Sequence, residues 1–351
     1  MGKGGGEFRQ GARLTGARII IVAFLFSYAG AIWWSLAVAL FCLTLGCALA
    51  QPFVQRRRAT RKDRPPISAI IPIKLLDPGF ETAQASIFAQ DYPAYEVLIG
   101  AAEKESPALD AARRIAASHP EVSCRFLRSV GTAAISPKLN TLAAPLAAAN
   151  HDLVFTKDSN ITLDPGTMAA LVQNLTQGVG LVVSVPVAVR ASNFAGRIEA
   201  TLINGHARLL LTASVLGLGF GVGKAMLFRR GDLAKAGGIA AISDTLAEDT
   251  AISTVLARQG LKTVFSHRTA AQETGARTFR EIYQRQLRWS IVRRRHERVT
   301  FPLEPLASPL PVALGGALAA PLVSCPVWLG FSLTLLLWFC LEAGFSLCKG
   351  W

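Results

Sequence analysis

The chain has 351 residues, room for one large domain or two small ones, and at 51% hydrophobic against 17% charged it is too apolar for an ordinary soluble protein. Lys and Arg exceed Asp and Glu by 37 − 23 = 14, and the basic clusters at 56–64 and 285–298 each adjoin an apolar terminal stretch, which points to anionic lipid. Nucleic acid is excluded as a partner because the aromatic interleaving of a strand-binding surface is missing, and a zinc site or disulfide scaffold because no cysteine pair has metal-ligand spacing.

Residues 19–50 carry no charge, and a membrane-spanning helix needs roughly 20 apolar residues. A cleaved signal peptide is the rival reading, since Lys3, Arg9, Arg13 and Arg18 precede the run. The apolar core is too long for one, and the basic QRRRATRKDR follows directly, so a retained anchor is expected over residues 1–64. Four Lys or Arg precede this span and six lie in 56–64. The more basic flank tends to be cytoplasmic, which predicts an integral membrane protein whose central domain faces the cytoplasm, at a bacterial inner membrane by its Ala- and Arg-rich composition.

From residue 65 to 277, short apolar runs alternate with helical patterns. ISAIIPI (67–73), YEVLIG (95–100), VSCRFL (122–127), DLVFT (152–156), GLVVSVPVAV (180–189), GKAMLFR (223–229) and LKTVFS (261–266) read as strands buried on both faces. The helix patterns between them imply right-handed crossovers and a mainly parallel α/β sheet. Ligands bind beyond the carboxyl ends of such strands. Asp158 in KDSN stands at that end of its strand, so a carboxylate is delivered to the place where a site forms.

The glycine-rich GLGFGVGKAM (217–226) fails as a nucleotide phosphate loop. Leu218 stands where the first glycine is required, and Ala225 replaces the hydroxyl residue. Close backbone packing is the expected reason for these glycines. Two Asn-x-Thr triplets, at Asn160 and Asn174, match glycosylation acceptors that a cytoplasmic domain would not use. In LAEDT the adjacent acids Glu248 and Asp249 open a helix. They serve either to match its dipole or, shielded from water, as a general base. Over 278–305 a basic amphipathic helix is expected at the membrane interface, with Phe279, Ile282, Leu287, Trp289 and Ile291 on its apolar side. Its RQLRW places Arg285 and Arg288 one turn apart beside Trp289, a pairing that suits a diphosphate because guanidinium groups bond bidentately to phosphate oxygens. Residues 306–351 are apolar again but interrupted by Pro311, Pro321 and Pro326. Two spans, or one span with a re-entrant segment, both fit.

DPGFETAQASIFAQDYPAYEVLIG, SPKLNTL, DSNI, LAEDTAIS and RQLRW, in this order across residues 65–305, together resemble the ceramide glucosyltransferase family among the lipid-modifying glycosyltransferases. The resemblance implies a GT-A fold between transmembrane helices and inverting transfer of a sugar, glucose foremost, from a UDP-sugar to ceramide. It also implies a divalent cation, Mg2+ or Mn2+. By that resemblance Asp249 is the base, with Glu248 beside it, and Asp158 and Asn160 hold metal and diphosphate. Lys138, in the Pro-Lys element, and His206 lie near the donor. Arg285, Arg288 and Trp289 secure the leaving group and the acceptor entrance. Two positions depart from the pattern. Glu103 stands where the first acid is usually Asp, and Asn160 stands where related hopanoid-modifying enzymes carry the second acid of Asp-x-Asp. A hopanoid or another membrane lipid is the alternative acceptor, an inactive nucleotide-binding scaffold the alternative of another class. A polysaccharide synthase would be expected to carry more spans.

Overall fold

The computed structural model describes residues 4–57, 60–130, 134–296 and 301–351, with side chains described from residue 21 onward except at residue 296. The chain divides into two compact units, Met1–Leu45 with Glu297–Lys349, and Gly46–His296 with Gly350–Trp351.

In the first unit the N-terminal part of α1 (Gly4–Arg56) accompanies the two C-terminal helices. Ile21–Arg56 and Val327–Cys348 are each long and apolar enough to cross a membrane, and Phe301–Ala307 with Pro309–Val323 forms a pair bent by 63° that would be a broken span or a re-entrant loop. Small residues bring these helices close. A Cβ on Gly316 would strike the Thr334 side chain, and one on Gly30 would meet Leu318. The indole N–H groups of Trp33 and Trp34 donate to the Pro311 carbonyl and the Thr334 hydroxyl, both at 3.1 Å.

The second unit begins with β1 (Ile67–Pro72), α2 (Phe80–Phe88), β2 (Tyr95–Ala101), α3 (Pro107–Ala117), β3 (Cys124–Arg128), α4 (Pro137–Ala148) and β4 (Leu153–Lys157). Next come β5 (Ile161–Thr162), α5 (Thr167–Asn174), β6 (Val179–Ala191), α6 (Phe194–Val215), β7 (Ala225–Arg229), α7 (Arg230–Lys235), α8 (Glu248–Ala257), β8 (Lys262–Gly275) and α9 (Phe279–His296). The expected strands all form, most of them because their runs of Ile, Val, Leu and Phe are buried along their lengths, whereas β3, at the sheet edge, is only half-buried and not covered on both faces as its pattern suggests. Starts of α3 and α4 use one device. Ser106 and Ser136 each accept the N–H three residues on, and proline takes the first helical position. The C-terminal helices of the first unit are α10 (Pro309–Ala319) and α11 (Val327–Cys348).

The sheet order is β3-β2-β1-β4-β7-β6-β8-β5. Pairs β1·β2, β2·β3, β1·β4 and β6·β8 are parallel, whereas β7 runs antiparallel to both β4 and β6. Chain order reverses between β1 and β4, so a crevice opens at the carboxyl ends of those strands. Two features go beyond the sequence reading. β8 continues past Ser266 to Gly275 through a register shift, and β5 pairs with its far end at Ile161↔Gln272. At the opposite end of β2, the buried Glu96 accepts from Ser68, Asn150 and Arg125, tying three strands together away from the crevice.

Candidate active site

Asp158 follows the last residue of β4, and its backbone N–H donates to the Lys224 carbonyl at 3.0 Å. Antiparallel pairing of Lys157 with Ala225 therefore sets Lys224 beside the acid. One Asp158 oxygen accepts from Lys224 Nζ at 2.9 Å and the other from Lys138 Nζ at 2.6 Å. Burial works to raise the Asp158 carboxyl, but the two ammonium groups overcome it and hold the acid down at about 2. Lys138, in the first turn of α4, also reaches Glu248 at 3.0 Å and the Gly223 carbonyl at 2.6 Å. Burial acts to lower this lysine, yet Asp158 and Glu248 raise it above its ordinary value.

The second acid pair enters at the start of α8. Glu248 is buried and takes Lys138 on one oxygen and the Ser136 hydroxyl on the other. Asp249 accepts the Gly223 N–H at 2.6 Å and the Thr250 N–H at 2.8 Å. Its pKa is raised, by burial first and by the Glu248 charge next. Glycines make this approach possible, since a Cβ on Gly221 would run into the Asp249 carbonyl and one on Gly219 into that of Thr263. The glycine-rich segment is thus close backbone packing, as its spacing suggests, and it also lines the site.

A further cation lies beneath the turn. Lys157 is fully buried and donates to the carbonyls of Ala83 and Ile161, both at 2.8 Å. Burial pushes its ammonium down to about 7, while the carbonyl oxygens it bonds favour the charged form.

Two positions expected to bind metal are arranged otherwise. Asn160 directs its amide nitrogen to Asp77 at 3.2 Å, and both Asp158 oxygens are engaged by ammonium groups. Among the described residues no group of three His, Cys, Asp or Glu side chains could hold a metal ion. One carboxylate already neutralised twice, beside a neutral amide turned away, does not fit a hard divalent cation as arranged, because such an ion binds through one or two free carboxylates together with water and substrate phosphates.

The RQLRW helix builds a second cationic cluster. Glu199 of α6, wholly buried, pairs with Arg285 at 2.8 Å and Arg277 at 2.9 Å. The Arg285 guanidinium lies 5.3 Å from the centre of the Trp289 ring, within cation–π range. Burial lowers the Arg285 pKa and Glu199 works to raise it. Arg277, Glu281, Gln284, Arg285 and Arg288 line a cavity of about 300 Å3, and its guanidinium groups, those of Arg277 and Arg285 held by Glu199, suit an anion with several oxygens. Asp77, which holds Asn160, also acts electrostatically on Arg285.

Of the residues read from sequence, Lys138, Asp158, Glu248 and Asp249 converge in one cluster, and Arg285, Arg288 and Trp289 share another. Glu103 is exposed beyond the carboxyl end of β2, and His206 of α6 keeps part of its ring open to solvent but is crowded enough that burial first and the Arg293 charge of α9 next lower its pKa to about 4; it touches neither the acid cluster nor Arg285. Sequence reading missed Lys224, Lys157, Glu199 and Arg277. Only Lys224 left a signal, as the lysine closing the glycine-rich segment.

A ceramide glucosyltransferase 1 from Caenorhabditis elegans is 26% identical over 228 residues, 64% of this chain and 49% of that protein. A ceramide glucosyltransferase from Komagataella phaffii is 28% identical over 191 residues, 48% of this chain and 38% of that protein. The matches thus span half or less of the length of these relatives. Among solved structures, the mannosyltransferase PcManGT from Pyrobaculum calidifontis, in complex with GDP-Man and Mn2+, superposes with a TM-score of 0.52 at 19% identity. That match covers 90% of this chain and 99% of that one and supports the GT-A fold. The model of glycosyl transferase family 21 matches residues 31–349, and the chain belongs to that family, the family of the ceramide glucosyltransferases.

Proposed function

We propose that the chain is an inverting glycosyltransferase that moves a sugar, glucose foremost, from a UDP-sugar to the primary hydroxyl of ceramide, giving a glycosphingolipid. The observation that carries this reading is Asp249, a carboxylate fixed by two backbone N–H groups at a helix start and raised in pKa beside a lysine-bound acid. An alkyl hydroxyl is a poor nucleophile and needs such a base within hydrogen-bond reach. In the reaction the Asp249 carboxylate takes the hydroxyl proton as the oxygen bonds to the anomeric carbon. The bond from that carbon to the β-phosphate oxygen breaks, and UDP leaves with the electron pair. Positive groups answer the charge that builds on the leaving oxygens, a role that suits Lys138, Arg285 and Arg288.

In this reading Glu248 anchors Lys138 and raises Asp249, while Asp158 orients the lysines. Glu103 would reach the uridine from the end of β2. Residues 65–277 form the catalytic domain, and residues 278–305 an interfacial helix between anchors at 1–64 and 306–351. The exposed stripe Phe279, Tyr283, Leu287 and Ile291 on α9, with arginines interleaved, supports a seat on anionic lipid. The catalytic domain would face the cytoplasm. The scaffold alternative leaves a positioned Asp249 without purpose.

The test is purified protein in vesicles with UDP-glucose and ceramide. Mass spectrometry should find hexosylceramide, and Asp249→Asn should abolish turnover while UDP still binds. Full activity in that variant would remove the base assignment, and failure of any nucleotide sugar to bind would remove the enzyme reading.

A further inference from the structure

Lys224 has no place in the sequence-derived site, yet it shares the Asp158 carboxylate with Lys138. Lys138 is ion-paired with both Asp158 and Glu248 and donates to the Gly223 carbonyl. Lys224 has one donor on Asp158 and is partly exposed at the mouth of the crevice. An ammonium has three donors, so two remain for a ligand arriving above the strand ends. Its position is fixed from both sides, because Lys224 immediately precedes β7 and its backbone carbonyl accepts the Asp158 N–H.

A divalent cation entering here would have to displace both ammonium groups from Asp158. It would then stand within a few ångström of the freed Lys224 ammonium and of Lys138, which Glu248 alone would still pair, and Asn160, two residues on, adds no negative charge. Like-charge contact at that range opposes a dication twice as strongly as a single charge. A diphosphate meets the opposite situation, because its oxygens can accept directly from the ammonium already in place.

Resting on the glycosyltransferase reading above, we infer that Lys224 is a donor-diphosphate ligand that stands where a divalent cation would otherwise sit, so that the chain binds UDP and transfers sugar without metal. The charge at the leaving group is then carried by side chains, Lys224 and Lys138 on one side and the α9 arginines as a second source.

The experiment uses the full-length protein in vesicles, stripped with EDTA, and measures three quantities: UDP affinity by calorimetry, hexosylceramide formation, and the free Mn2+ signal in electron paramagnetic resonance. UDP affinity and turnover in EDTA should lie within about twofold of their values in Mn2+, and the protein should leave the free Mn2+ signal unchanged. Lys224→Ala should weaken UDP binding by about tenfold, or ~1.4 kcal/mol, and Lys224→Arg should retain most of it, which separates charge loss from misfolding. Loss of UDP binding in EDTA with recovery in Mn2+ would overturn the inference, as would unaltered affinity in Lys224→Ala. If UDP bound in neither buffer, the glycosyltransferase reading would fall first and the inference with it. If UDP bound in EDTA but ceramide received no sugar in either buffer, the diphosphate site would be supported and the acceptor assignment would fall.

Discussion

Replacing Glu199 by Gln removes a single negative charge from between two arginines without changing shape. The carboxylate is wholly buried and lies 2.9 Å from Arg277 and 2.8 Å from Arg285. Breaking a buried ion pair by removing one partner costs about 3–5 kcal/mol. Arg277 and Arg285 keep 14% and 24% of their side-chain surface open to water, so partial rehydration brings the expected loss to about 2–3 kcal/mol. At roughly 2–4 °C per kcal/mol for a unit of this size, the apparent Tm should fall by about 4–12 °C. Arg285 would also lose the contact that holds it against Trp289, and a misplaced guanidinium should lower kcat more than it raises KM for the donor. Differential scanning fluorimetry and steady-state kinetics on the same preparation read both effects. A variant with unchanged Tm and unchanged kcat would refute the idea that Glu199 positions the arginine. Loss of Tm with full kcat would restrict its role to stability.

Two further substitutions probe the acid pair and the buried lysine. Glu248→Gln removes a charge that raises Asp249; since the base works only when ionised, the acidic limb of the kcat/KM profile should move to lower pH, and a limb that stays or moves upward contradicts the pairing. Lys157 is pushed down to about 7 in the fold from an ordinary 10.5, so between those values the unfolded chain binds the extra proton and stability must rise with pH. Urea denaturation at about pH 7.5 and about pH 9.5 should show that rise in the parent and not in Lys157→Met, and equal slopes in the two proteins would place the lysine's proton elsewhere.

The sheet was legible because a strand buried on both faces leaves a continuous apolar run, and YEVLIG and DLVFT have no other use for one. The far half of β8 was not, since HRTAAQETG mixes polar and small residues and forms a strand only because β6 and β5 pair with it. Propensity is overridden there by tertiary hydrogen bonding. Within the site, Asp158, Glu248 and Asp249 could be found because acids at a strand end and a helix start break an apolar pattern. Glu199 could not. GRIEATL reads as a helix with a solvated acid, and nothing local tells that two arginines from about eighty residues later will close over it.

The contrast between Lys138 and Lys224 goes one step further. Both touch the same carboxylate, but Lys138 arrives from a helix start that sequence patterns mark with Ser-Pro, whereas Lys224 depends on β7 running against β4. A parallel neighbour would have presented its opposite end, Phe228 and Arg229, and Lys224 would have stood at the far end of β4. The antiparallel strand in an otherwise largely parallel sheet therefore has a chemical consequence. It brings the end of the glycine-rich segment over the carboxyl end of β4, where the Gly223 N–H can hold Asp249 while the next residue holds Asp158. One reversal of strand direction thus fixes Asp249 and Asp158 relative to each other, through two consecutive residues of one backbone.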